Sequence, residues 1–124
     1  MRRGFLPLAW LLCCLIATGC KQTAPAVEAN SVAGDPARGQ HLLATYGCAA
    51  CHRIKGVAPG QNPVGPDLRS VADNSYLAGV LPNTQQNMVR WLMHPRSLSP
   101  GTAMPELGVT EQDARDMAAY LYAQ

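Results

Sequence analysis

Residues 45–56 read "TYGCAACHRIKG", which places Cys48, Cys51 and His52 within five positions. Three chemistries use such a cluster: a redox disulfide, half of a structural zinc site, or covalent attachment of a haem. A thioredoxin-like Cys-x-x-Cys needs a strand–helix–strand setting, and no such pattern surrounds Cys48. Structural zinc wants four ligands, commonly from a second pair. The remaining histidines, His41 and His94, are not spaced as one. Haem attachment needs only what is present. Two thiols add across the two vinyl groups, and a histidine on the same turn falls beneath the iron. The spacing therefore points to a haem c, with iron as its metal.

An electron-carrying haem fills both axial positions of its iron. Met104, in "PGTAMP", is the candidate for the second, because two prolines and a glycine can hold its thioether in place. Met88, Met93 and Met117 fall in predicted helices and read as core. His94 is the runner-up; it abuts Pro95 and also reads as a capping cation or surface residue. His41 is expected on the exposed face of the first helix.

These residues need elements to position them. A first helix is expected from Asp35, a good N-cap followed by Pro36 at the first helical position, to about Tyr46. Gly39 inside it costs roughly 1 kcal/mol relative to alanine. Residues 56–68, "GVAPGQNPVGPDL", are too rich in Gly and Pro for a regular element and form a shaped loop. A short helical turn is expected near Leu68–Ala72, and residues 75–81 are ambiguous. Asn83 and Gln86 have capping-box spacing, and Met88, Val89, Leu92 and Met93 follow at helical intervals up to Pro95. Residues 97–108 read as irregular. A last helix starts at Thr110, with Asp113 as a weaker box partner and Ala114, Met117, Ala118 and Leu121 as its apolar stripe. No strand and no repeat stand out. So small a chain with such long loops has a thin side-chain core, so a bound group is expected to fill its centre.

The amino terminus reads as an export signal. Arg2 and Arg3 precede an apolar run, "FLPLAWLLCCLIA", too short for a membrane span. It ends in "LIATGC", which resembles a bacterial lipobox with Cys20 as the acylated residue, although Ala17 stands where Leu is usual. Cleavage after Ala26 is the alternative and leaves an unanchored exported chain. The expected division is a signal over 1–19, a flexible tether over 20–33 and one domain over 34–124. Without Arg2 and Arg3 the chain carries eight basic and eight acidic residues, a balance that argues against general nucleic-acid binding. From Cys48 to Met104 there are five basic residues and two acidic ones, whereas Glu106, Glu111, Asp113 and Asp116 come later. A weakly basic face near the haem edge and a more acidic back are expected, with scattered solvated charge as the alternative.

Taken together, "GDPARG", "CAACH", "GPDL", "WLMHPRSLSPGTAMP" and "MAAYL" resemble the class I, monohaem cytochromes c over residues 34–124. The last eighty or so residues are especially similar to the cytochrome domain fused to subunit II of bacterial haem–copper oxidases. The resemblance implies an all-α fold of three to five helices around one covalent haem, with the first and last helices crossing. It implies thioethers at Cys48 and Cys51 and axial ligands His52 and Met104. The Pro66 carbonyl would accept the proton on the far ring nitrogen of His52. Trp91 would lie beside the methionine and the haem face. Thr102 would bond a propionate or the methionine loop, and Gly39 would face Tyr120. Gly47 is an extra residue before Cys48 relative to the family pattern. The implied function is a single-electron carrier rather than an enzyme, working on the outer side of a bacterial cytoplasmic membrane; with the export signal and lipobox, the chain is expected in the periplasm or on the outer face of a membrane, lipid-anchored at Cys20. Its donor would be a quinol-oxidising complex or dehydrogenase, and its acceptor a terminal oxidase. A resident haem subunit of one complex, or a five-coordinate haem protein reacting with peroxide or a gas, are the alternatives.

Overall fold

The computed structural model describes residues 32–124. The signal, Cys20 and nearly all of the expected tether lie outside the described residues. Four helices carry the fold: α1 (Pro36–Thr45), α2 (Gln85–Met93), α3 (Pro95–Leu98) and α4 (Glu111–Tyr122). Single 3₁₀ turns at Cys48–Ala50 and Val71–Asp73, and a minimal antiparallel hairpin of β1 (Tyr76–Leu77) and β2 (Leu81–Pro82), fill the connections. None of the described helices is long and apolar enough to cross a membrane.

Helix α1 starts as its sequence dictates. The Asp35 carboxylate accepts from the N–H groups of Ala37 and Arg38, and Pro36 occupies the first turn. The helix stops at Gly47, which adopts a left-handed φ of 71°; that conformation suits a residue without Cβ. Helix α4 is capped by Thr110, whose hydroxyl accepts the Asp113 N–H at 3.2 Å. Its apolar stripe is buried as the periodicity predicts: Ala114, Met117, Ala118 and Leu121 are at most 1% exposed. They meet Leu43 of α1 and Met88, Val89 and Leu92 of α2 in one core.

Several local expectations are corrected. Helix α2 is capped by Thr84, whose hydroxyl accepts the Asn87 N–H at 3.1 Å. Asn83 turns away instead, and its amide donates to the carbonyls of Val71 at 2.7 Å and Asn74 at 2.6 Å. The preceding chain is thus fastened through that amide rather than through the helix start. The ambiguous stretch folds as the hairpin, turned by Ala78 and Gly79 with φ of 49° and 72°. Alanine at positive φ is an unusual turn residue, so the familiar Asn-Gly signal is missing. Pro95 ends α2 but also opens α3, which begins two residues before the stretch read as irregular.

The atoms nearest Gly39 are α4 backbone rather than the Tyr120 ring. A Cβ there would lie 2.0 Å from the Asp116 carbonyl oxygen and 3.0 Å from the Met117 nitrogen. The glycine therefore lets the α1 backbone press on the α4 backbone itself. Around this crossing Arg38 pairs with both Asp113 and Asp116. The Tyr46 hydroxyl donates to Asp113 at 2.8 Å, while the Asp35 N–H at 2.8 Å and the Gln112 amide at 3.0 Å donate to Asp116. Both carboxylates are buried. The expected acidic back is correspondingly smaller, since Asp113 and Asp116 lie in the helix interface and not on the surface.

Two predictions follow from the crossing. In an isolated helix Gly39→Ala would gain about 1 kcal/mol, but here the backbone contact reverses the sign. A net loss of about 2 kcal/mol is expected from the urea midpoint, and a gain would refute the contact. The second concerns acid. The hydrogen bond from Tyr46, aided by Thr110 and Arg38, holds the Asp113 carboxyl below its ordinary value of 3.8. Burial alone would raise Asp116, but the Asp35 N–H, Arg38 and Gln112 more than offset it, and its carboxyl is also lowered. A lowered folded-state value means that the folded chain binds fewer protons, so this stability is present above about pH 4 and is lost as pH falls through the folded values. Asp116→Asn should therefore be less stable at pH 7, with a deficit that shrinks below about pH 4. A deficit independent of pH in urea titrations would exclude this linkage.

Candidate functional site

The backbone after α1 folds tightly enough to put both thiols and the imidazole on one turn. The N–H groups of Cys51 and His52 donate to the Cys48 carbonyl at 3.2 and 3.0 Å. Ala49, between the thiols, is buried and anchors the turn, and its carbonyl accepts the Gly60 N–H at 2.7 Å. Cys48 and Cys51 are both free thiols, not a disulfide. Cys48 is half-buried, and burial pushes its thiol up from the ordinary value; Cys51 is exposed. Among the described residues no three His, Cys, Asp or Glu side chains converge as a metal site.

His52 is held from its far side. Its Nδ1 lies 2.8 Å from the Pro66 carbonyl oxygen. A carbonyl can only accept, so Nδ1 carries the proton and Nε2 keeps its lone pair for a ligand. The Gly65 N–H donates to the Cys51 carbonyl at 2.7 Å, bringing the loop back under the turn. A Cβ on Gly65 would lie 2.6 Å from Cε1 and 2.7 Å from Nδ1 of His52. Gly65 is a site residue that the sequence reading passed over within its Gly/Pro loop. The one available signal was its place just before the "PDL" that carries the Pro66 carbonyl.

The remaining expected residues fall into a second group. Met104 is partly buried and packs against the main core, as do Trp91 and Cys48. The Thr102 hydroxyl accepts the Met104 N–H at 3.2 Å, and the Thr102 N–H donates to the Ser99 carbonyl at 3.0 Å. Met88 and Met117 are buried in the core and Met93 packs against it. His41 and His94 are exposed, and His94 caps the carboxyl end of α2. Among the charged groups, Asp67 pairs with Arg69 at 2.5 Å. The guanidinium of Arg69 lowers the Asp67 carboxyl to about 2. One of the basic residues expected near the site is therefore already neutralised.

The sequence model of cytochrome c matches residues 36–123. The chain belongs to the cytochrome c family. Cytochrome c2 of Rhodopila globiformis is 33% identical over 104 residues, covering 71% of this chain and 92% of that protein. Cytochrome c oxidase subunit 2 of Alkalihalophilus pseudofirmus is 28% identical over 85 residues, 68% of this chain. This cytochrome spans about a quarter of that subunit's length, with 24% of it matched. Among solved structures, cytochrome cH from Methylobacterium extorquens superposes with a TM-score of 0.56 at 28% identity, covering 73% of this chain and all of that one. Cytochrome c2 from Rhodobacter sphaeroides, at 19% identity and a TM-score of 0.54, shares the fold. The family implies a covalent haem c, and the free Cys48–Cys51 pair fits it. The bare space that Gly65 leaves for the imidazole and the acceptor at Pro66 fit it as well.

Gly65→Ala in the haem-loaded cytochrome is expected to cost about 1–3 kcal/mol in urea unfolding, because the new methyl overlaps the imidazole. Gln61→Ala, an exposed substitution in the same loop, is the control. It should shift stability by less than about 0.5 kcal/mol. Equal effects would argue against close packing under His52.

Proposed function

We propose that this cytochrome is a single-electron carrier in which Cys48 and Cys51 hold the haem by thioether bonds and His52 and Met104 ligate its iron. The observation that carries this reading is the 2.8 Å approach of His52 Nδ1 to the Pro66 carbonyl, which leaves Nε2 as a donor on the same turn as two free thiols. When bound, the haem supplies one-electron exchange between ferrous and ferric iron. The chain's own residues do the rest. The Pro66 carbonyl draws on the Nδ1 proton, which orients the ring and raises its basicity as a ligand. The Thr102 hydroxyl restrains the Met104 loop, so that the thioether can keep its place in both oxidation states. Trp91 supplies apolar surface beside that loop and limits water near the iron. A ligand set that does not rearrange keeps the cost of each electron transfer low.

The chain is read as exported, with its signal over 1–19 and lipidation at Cys20 tethering the domain of residues 34–124 to the outer face of a bacterial membrane. Its donor is then a quinol-oxidising complex or a dehydrogenase, and its acceptor a terminal oxidase. The similarity to cytochrome c oxidase subunit 2 supports an oxidase as partner. The same similarity favours a second reading, a resident haem subunit of one complex, which stable co-purification with an oxidase would identify.

The test begins with the protein matured by its attachment machinery. Its mass should include one porphyrin, and a chain without that addition would refute the proposal. Met104→Ala should retain the covalent porphyrin but lose the long-wavelength band of a thioether-ligated ferric haem. Its reduction potential should also fall well below that of the parent, since loss of the thioether removes a ligand that favours ferrous iron. An unchanged band and potential would remove Met104 from the iron.

A further inference from the structure

The segment following His52 is gripped from both terminal helices. On α1, Gln40 donates from Nε2 to the Gly56 carbonyl at 2.8 Å. On α4, the Tyr120 hydroxyl donates to the Lys55 carbonyl at 2.5 Å. Just past α4, Gln124 accepts the Lys55 N–H on Oε1 at 3.0 Å and donates from Nε2 to the Leu68 carbonyl at 3.3 Å. The Leu68 N–H donates in turn to the Arg53 carbonyl at 2.8 Å. Gln124 therefore spans the two ends of the loop that leaves His52 and returns through Pro66.

The site is shaped for this grip. Gly56 has a φ of 68°, and a Cβ there would lie 2.6 Å from the Gln40 amide nitrogen and 2.8 Å from the Tyr120 hydroxyl. The buried Ile54 pins the same segment to the core. The polar grip, by contrast, lies near the surface, where single hydrogen bonds add little net stability. What it can set is register. The distance between residues 52 and 66 decides whether the Pro66 carbonyl stays on the His52 ring, and Gln124 holds both flanks of that span.

We propose that Gln124, with Tyr120 and Gln40, is a positioning device for His52, keeping the Pro66 carbonyl on the Nδ1 proton. The inference rests on the reading of His52 as iron ligand. Through it the packing of the terminal helices reaches His52.

The experiment follows exchange of the His52 Nδ1 proton with solvent, by NMR of the ferrous, haem-loaded protein. The backbone amides of Met117 and Ala118 in the same samples report global opening. Gln124→Ala should speed Nδ1 exchange by about two- to tenfold, the range that one net hydrogen bond's worth of opening free energy corresponds to. The Met117 and Ala118 amides should not change. Gln124→Glu can still accept from the Lys55 N–H but cannot donate to the Leu68 carbonyl, and should fall between. Tyr120→Phe provides an independent release of the same segment and should also speed Nδ1 exchange. Unchanged Nδ1 exchange in a loaded protein would overturn this inference alone. So would acceleration that only keeps step with the two amides, which marks a purely structural role. A chain lacking covalent porphyrin would overturn the site reading and this inference together.

Discussion

Helices α1 and α4 approach so closely that a single methyl at Gly39 would enter the Asp116 carbonyl. That contact determines much of what surrounds it. It brings Arg38 across to two buried carboxylates. The turn bearing Cys48, Cys51 and His52 starts three residues beyond the last residue of α1. A shift in the crossing would move the whole turn, because Gly47 leaves the helix with a defined left-handed kink and not through a long connector.

The electrostatics of the crossing explain how a half-exposed arginine and two buried acids are tolerated together. Burying a carboxylate is costly unless donors satisfy it. Asp116 meets that requirement with the Asp35 N–H, Arg38 and Gln112, and Asp113 with the Tyr46 hydroxyl and Arg38. Among the described residues no buried side-chain polar atom is left without a partner. These acids serve the fold rather than an acidic docking surface, so charge along the chain is a poor guide to charge on the surface here.

The loop over 56–68 does with backbone what a larger protein does with a second layer of side chains. The N–H groups of Gly60 and Gly65 return to the carbonyls of Ala49 and Cys51, and the Pro66 carbonyl meets the imidazole. Glycine permits the approach, and proline leaves a carbonyl without a matching N–H to compete for partners. A cofactor-centred fold of this size relies on such backbone contacts because its apolar core is small.

What could be read in advance is local. Asp35 and Pro36 announced α1, Thr110 announced α4, and the spacing of Ala114, Met117, Ala118 and Leu121 announced the face that α4 buries. The five-residue cluster at Cys48 pointed to the haem c that the family implies, since neighbouring residues on one turn need no fold to bring them together. Capping by Thr84, the hairpin turned by Ala78, the opposition of Gly39 to the Asp116 backbone, and the grip of Gln124 on Lys55 and Leu68 were not legible. The hairpin depends on a backbone angle that alanine disfavours, the Gly39 and Gln124 contacts pair groups distant in the chain, and Thr84 stands beside a competing capping candidate, Asn83. Sequence by itself determined which residues could bind and which helices could form, because propensity and spacing act over a few residues. Tertiary structure alone decided what each of them faces, because that depends on how the helices cross, and a crossing is settled by contacts between residues nearly eighty positions apart in the chain.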